Sequence, residues 1–150
     1  MFHVKRILDL FYFYLRIDML FMKHMVNKKR IKGNLGEDFA TMFLVEHGFG
    51  ILRRNYQKKC GEIDIIAEKS GIIHFVEVKS VSRETYNRCF IHLPEENVSN
   101  RKISKIEKTA NLFLMEYKLE GANIEIDLIT VEFWAGEKEP RLNYLPNINF

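Results

Sequence analysis

An α/β domain is predicted from three observations. Two apolar, β-branched runs at residues 61–67 and 73–79 read as paired strands, helix-period stretches flank them, and a further strand-period run covers 124–133. With 150 residues, 47% of them hydrophobic, the chain is sized for one domain with a real core. The formal net charge is +3, but its distribution says more: residues 1–60 carry 12 Lys/Arg against 5 acids. A basic excess placed this way suits a polyanionic partner such as nucleic acid, and a solvated lysine surface gives the same count.

Residues 1–27 read as an N-terminal extension and 28–150 as the single domain. The extension is rich in Phe, Tyr, Leu and Met, and its longest uncharged run, residues 10–15, is far below the ~20 residues that span a bilayer. No transmembrane segment is expected. Three readings fit it: an amphipathic helix on a membrane or partner, an extra packed helix, or a start codon misassigned upstream of Met19, Met22 or Met25. The last is preferred.

Asn27-Lys28-Lys29-Arg30-Ile31-Lys32 reads as a basic linker into a helix that carries Phe39, Ala40, Phe43, Leu44 and His47 at helical spacing and closes at Gly48. Glu37 falls in the first turn of that helix, where the macrodipole favours a carboxylate, so by local logic its place is structural. Residues 49–56 read as a strand carrying Arg53 and Arg54, and 57–61 as a turn. In the next strand, alternation puts Glu62, Asp64 and Ile66 on one face and Ile63 and Ile65 on the other. Lys69-Ser70-Gly71 closes a tight antiparallel connection, with glycine supplying the positive φ. Phe75, Glu77 and Lys79 then share one face of the following strand.

Residues 80–97 are polar and irregular and read as a mobile loop. A second helix covers 100–119, with Ile103, Ile106, Ala110, Phe113, Leu114 and Tyr117 inward and Arg101, Lys105 and Lys108 outward. Residues 124–133 form a strand, and 141–145 an edge strand. Cys60 and Cys89 make no CxxC pair and no ligand cluster with the scattered histidines, so no zinc site is expected. Two thiols and no clear export signal fit a reducing cytoplasm.

The chemistry resides in Asp64 and Glu77-x-Lys79. A phosphodiester repels nucleophiles by its own charge, and hydrolysis calls for a hard cation that neutralises it. Mg²⁺ takes oxygen ligands, one or two carboxylates with water and substrate oxygens, which Asp64 and Glu77 could supply, while Lys79 orients water or steadies developing charge. The bare pattern also occurs as an ion-paired sheet face.

The order of blocks narrows this. Gly33-x-x-Gly36-Glu37-x-x-Ala40, Arg54-Asn55-Tyr56, Gly61-Glu62-Ile63-Asp64-Ile65-Ile66-Ala67 and Phe75-Val76-Glu77-Val78-Lys79 together resemble the YraN-like family, predicted endonucleases of the PD-(D/E)xK superfamily related to Holliday-junction resolvases. Lys102 or Lys105 with Ala110, and Ile126-Asp127-Leu128, look like later family positions. The resemblance covers residues 31–133. It implies a restriction-endonuclease-like core, a mixed sheet flanked by helices, with Asp64 and Glu77 as metal ligands, Lys79 as the catalytic lysine and Glu37 as a supporting acid. Glu62 also matches, and two roles fit it: facing the metal, or orienting Lys79 or a basic neighbour. A basic residue commonly stands two after the ExK lysine in such sequences; here the position is Val81, and Arg83 is the candidate replacement.

The expected activity is therefore Mg²⁺- or Mn²⁺-dependent cleavage of DNA, branched or otherwise structured, with Arg53, Arg54, Lys102, Lys105 and Lys108 near the backbone. No small-molecule cofactor is expected, and the resolvase likeness makes a homodimer a candidate assembly. The alternative is a non-catalytic module that keeps the fold and binds nucleic acid or protein through the same surface.

Overall fold

The computed structural model describes residues 28–83 and 100–148; the expectations for the N-terminal extension and for loop residues 84–97 lie outside them. Helix α1 (Lys28–Glu46) leads into β1 (Gly50–Lys58), β2 (Gly61–Lys69) and β3 (Ile72–Arg83). Then come α2 (Asn100–Glu116), β4 (Asn123–Trp134) and β5 (Arg141–Leu145). The strands form one sheet in the order β1-β2-β3-β4-β5. β3 and β4 run parallel and the other neighbours antiparallel, so the sheet is mixed. The parallel pair requires a crossover, and α2 lies within it. From Lys32 onward these elements belong to one compact unit. Among the described residues no helix is long and apolar enough to cross a membrane.

The basic stretch 28–32 is the opening of α1 rather than a linker. Lysine and arginine are good helix formers, and their charge does not break a helix. Glu37 consequently lies in the helix interior, and the first turn carries no acid, so the macrodipole account of Glu37 fails. The far end is as expected. Gly48 adopts φ +84°, and Phe49 N–H turns back to donate to Leu44 O at 3.0 Å.

Two cores lie on the two faces of the sheet. On one face α2 packs Ile103, Ile106, Ala110, Phe113 and Leu114 against Ile63, Ile66, Phe75 and Leu128. On the other, Ala40 and Leu44 of α1 pack against Ile65, Ala67, Val76, Ile129 and Val131. Phe75 and Phe113 meet edge to face at 5.9 Å, and each buried ring of this kind stabilises the fold by roughly 1.5–3 kcal/mol through lost water contact. Tyr117, expected inward, is 39% exposed because α2 ends at Glu116.

The β1–β2 turn is shorter than expected, only Lys59 and Cys60. The β2–β3 turn is Ser70-Gly71, with φ +54° and +80°, the two left-handed residues a two-residue hairpin favours. Residues 80–83, expected in a loop, continue β3, because β4 runs beside them in register from Ser80↔Val131 to Arg83↔Trp134.

Strict alternation fails in β2, and that failure shapes the molecule. Ile65 and Ala67 join the α1-side core, whereas Ile63, which alternation places with them, joins Ile66 on the α2 side. β1 changes face at the matching point. Arg54, opposite Ile65, reaches Asp38 of α1, whereas Tyr56, opposite Ile63, meets Phe113 of α2. Between them Asn55 takes φ +50°, a left-handed conformation that asparagine tolerates better than most residues. Pairing of β2 with β3 stops at Ile65↔Val76. The β1–β2 hairpin tip thus leans onto α2 and leaves β3.

Candidate active site

Asp64 stands at the point of parting. Its Oδ2 accepts a hydrogen bond from Val78 N–H at 2.7 Å, so the carboxylate occupies a place that the ladder would otherwise fill. The next residues of β3 are Glu77, buried at 3% exposure, and half-buried Lys79. Glu77 Oε1 lies 3.2 Å from Lys79 Nζ, and Oε2 lies 2.9 Å from Lys102 Nζ. The second approach is a charge contact: Oε2 is buried and receives no hydrogen bond of acceptable angle.

Burial pushes the Asp64 carboxyl up to about 7, and the neighbouring Glu77 charge adds to it; Glu37 acts in the same direction. The Val78 N–H and the Lys102 charge pull the other way. A neighbouring negative charge and loss of water both disfavour the ionised form of a buried acid. For Lys102 burial opposes the charged form, but Glu77, Asp64 and Glu62 outweigh it, and its pKa stands above the ordinary lysine value.

Glu37 reaches the same region from α1. Burial raises its carboxyl, offset in part by a hydrogen bond with the Asn55 side chain and by the Arg54 charge. Arg54 Nη2 lies 2.6 Å from Asp38 Oδ1 and 3.9 Å from Glu37 Oε2. The helix comes this close to β3 because Gly36 carries no side chain: a Cβ there would lie 1.7 Å from Ser80 Oγ and 3.0 Å from Ser80 Cβ. Glu62 is exposed beside Gln57, and its charge is felt by both Glu37 and Lys102.

The structure therefore gathers Glu37, Asp64, Glu77 and Lys79, with Glu62 at the margin. The basic residues expected on one surface divide differently. Lys102, counted with that surface, points inward to Glu77. Arg53 and Arg54 flank opposite faces of the sheet, Arg53 donating to Tyr117 Oη at 3.0 Å and Arg54 facing α1. Lys105 and Lys108 are exposed, as expected. Arg83 is engaged by Glu132 at 3.1 Å rather than standing open beside Lys79. The local pattern hides the role of Lys102 because it falls one position outside the apolar stripe of α2, where a long side chain can still swing over the sheet edge.

A second cluster has no local signature at all. His74, Glu125 and Asp127 bring one ligand atom each to within 4.8 Å of one another, a group that could hold a metal ion. Cysteine and histidine spacing, the usual sign of a zinc set, does not find it. Here one histidine joins two acids some fifty residues downstream, through the register His74↔Glu125 and Val76↔Asp127.

Fold and site together define an α/β protein with an acid–lysine cluster where a sheet hairpin splays. The chain belongs to the uncharacterised protein family UPF0102, whose model matches residues 36–131, as the YraN-like resemblance implied. A UPF0102 protein of Campylobacter fetus is 37% identical over 123 residues, 82% of this chain and 97% of the relative. Another from Persephonella marina is 41% identical over 101 residues, 67% of this chain and 83% of the relative. A third, from Dictyoglomus turgidum, is 38% identical over 122 residues, 81% of this chain and 98% of the relative.

Proposed function

We propose that this chain is a metal-dependent endonuclease acting on DNA, with Asp64 and Glu77 as its metal ligands. The observation that carries the reading is the cleft where β2 leaves β3. It holds a half-buried and a fully buried carboxylate beside two lysines, and one carboxylate oxygen, Glu77 Oε2, lacks a hydrogen bond. Oxygen donors with a spare lone pair suit a hard divalent cation such as Mg²⁺ or Mn²⁺. Bound there, such an ion would neutralise phosphate charge and make water a better nucleophile.

The chain's own groups supply the rest. Asp64 is held in place by Val78 N–H, so its free oxygen keeps one direction. Lys79 sits 3.2 Å from Glu77 and can hold a water or steady the charge that builds on a phosphate oxygen. Lys102 lies on the other side of Glu77 and fixes that carboxylate between two ammonium groups. Glu37, with its raised pKa, can hold a proton near the leaving oxygen or orient water through Asn55. The exposed Lys105 and Lys108 on α2 supply phosphate contacts, which position a duplex without reading its sequence.

The test is cleavage of linear, single-stranded and four-way-junction DNA with Mg²⁺, Mn²⁺ or EDTA, beside metal titrations of Asp64→Ala and Glu77→Ala. Metal-dependent cutting that both variants lose supports the reading. DNA binding that persists in EDTA, with no substrate cut, replaces it with a non-catalytic binding module.

A further inference from the structure

A second polar cluster lies on the α1 face of the sheet, on the β3 and β4 residues that precede the acid–lysine cleft. His74 Nδ1 is 2.8 Å from Asp127 Oδ2 and 3.7 Å from Glu125 Oε2. The His74 and Asp127 side chains are buried, 7% and 0% exposed, and Glu125 is 28% exposed. One imidazole nitrogen offers a single proton, so it can serve one of the two carboxylates and not both. With that proton given to Asp127, the partly exposed Glu125 carboxylate faces the same nitrogen without sharing it, and a cation would join all three groups.

We propose that His74, Glu125 and Asp127 form a binding site for a divalent cation of the zinc class, separate from the acid–lysine cleft. The donor set decides the class. One imidazole nitrogen with two carboxylate oxygens suits a borderline ion such as Zn²⁺, whereas Mg²⁺ prefers oxygen alone. Ligands at about 2.1 Å around a tetrahedral ion lie roughly 3.4 Å apart. The His74–Asp127 pair at 2.8 Å must open slightly and the His74–Glu125 pair at 3.7 Å close slightly to meet that spacing. Side-chain rotations achieve both.

The surroundings already resemble the outer layer of a metal centre. Asp127 accepts from Tyr144 Oη–H at 2.8 Å on Oδ2 and from Asn147 N–H at 2.9 Å on Oδ1, so its carboxylate is oriented by two further donors. Hydrogen bonds of this kind hold ligating carboxylates in place and are worth a large factor in affinity. Phe49 stands edge to face with the His74 ring at 4.9 Å and fixes its plane. Because Tyr144 belongs to β5 and Asn147 follows it, an ion here ties β3, β4 and the segment after β5 into one unit.

The test uses the full chain carrying Asp64→Asn and Glu77→Gln, which removes both proposed ligands of the cleft. Calorimetric titration with Zn²⁺ reads affinity and stoichiometry, and Co²⁺ absorption reads the ligand field. One equivalent of Zn²⁺ is expected, not displaced by excess Mg²⁺, with a Co²⁺ spectrum of a low-coordinate site. Glu125→Gln, at a partly exposed position that leaves the fold intact, weakens Zn²⁺ more than roughly tenfold, at least as much as removing an outer-layer hydrogen bond. His74→Gln abolishes it. Zinc that binds only when Asp64 and Glu77 are present, or that is indifferent to Glu125→Gln, overturns the proposal, as does no zinc binding at all.

Discussion

Asp64→Asn stabilises the metal-free protein at alkaline pH. Its carboxyl is raised from the ordinary aspartate value near 3.8 to about 7, first by burial and then by Glu77. An acid whose folded pKa is raised gives the native state extra protons between those two values. Stability therefore falls as pH climbs from about 4 to about 7 and stays reduced above. At about 1.4 kcal/mol per pH step, full ionisation of Asp64 costs at most about 4 kcal/mol. Relaxation of the cleft brings the expected figure to about 2 kcal/mol. Asparagine has no charge to bury and keeps an oxygen for the Val78 N–H. The assay is urea unfolding of wild type and variant in EDTA at pH 5 and pH 8. The variant midpoint exceeds that of the wild type by about 1 M at pH 8, with an unchanged slope, and by less at pH 5, where only part of the ionisation cost is present. A variant no more stable than wild type at pH 8 would refute the claim that Asp64 is a strained acid.

Two further predictions rest on packing and on charge. Gly36→Ala puts a Cβ against Ser80, forces α1 away from β3 and costs about 1–3 kcal/mol, with cleavage falling further than stability because Glu37 is the next residue; adding Ser80→Ala recovers part of the loss in thermal unfolding. Replacing Lys105 and Lys108 by alanine makes the slope of log affinity against log salt for DNA shallower by about 1 for each phosphate these lysines neutralise, and a slope that stays the same removes them from the interface.

The strands and helices were legible because their cause is local. β-branched runs bounded by Ser70-Gly71, and the stripe Ile103, Ile106, Ala110, Phe113, Leu114, announce themselves within a dozen residues. What escaped was everything set by partners far along the chain. The change of face at Asn55 and Asp64 is invisible to a two-residue period, since it depends on β2 leaving β3 while keeping β1. Lys102 was counted with the lysines near the DNA backbone, because only the tertiary fold brings Glu77 beside it. The helical character of residues 28–32 was masked by their charge, which composition reads as a linker. His74 and Asp127 met through a parallel register that no local pattern encodes. The four motif blocks, by contrast, pointed to Asp64, Glu77 and Lys79 through the resemblance, and the fold does bring them together.

The left-handed Asn55 and the register shift between Ile51 and Arg53 have a consequence for self-association. β1 begins the sheet, and a straight first strand would offer its row of amides to a second copy. Here that row is interrupted twice within a few residues and turned across both faces, so continuous edge-to-edge stacking of sheets, the route to fibrils, finds no template on this side.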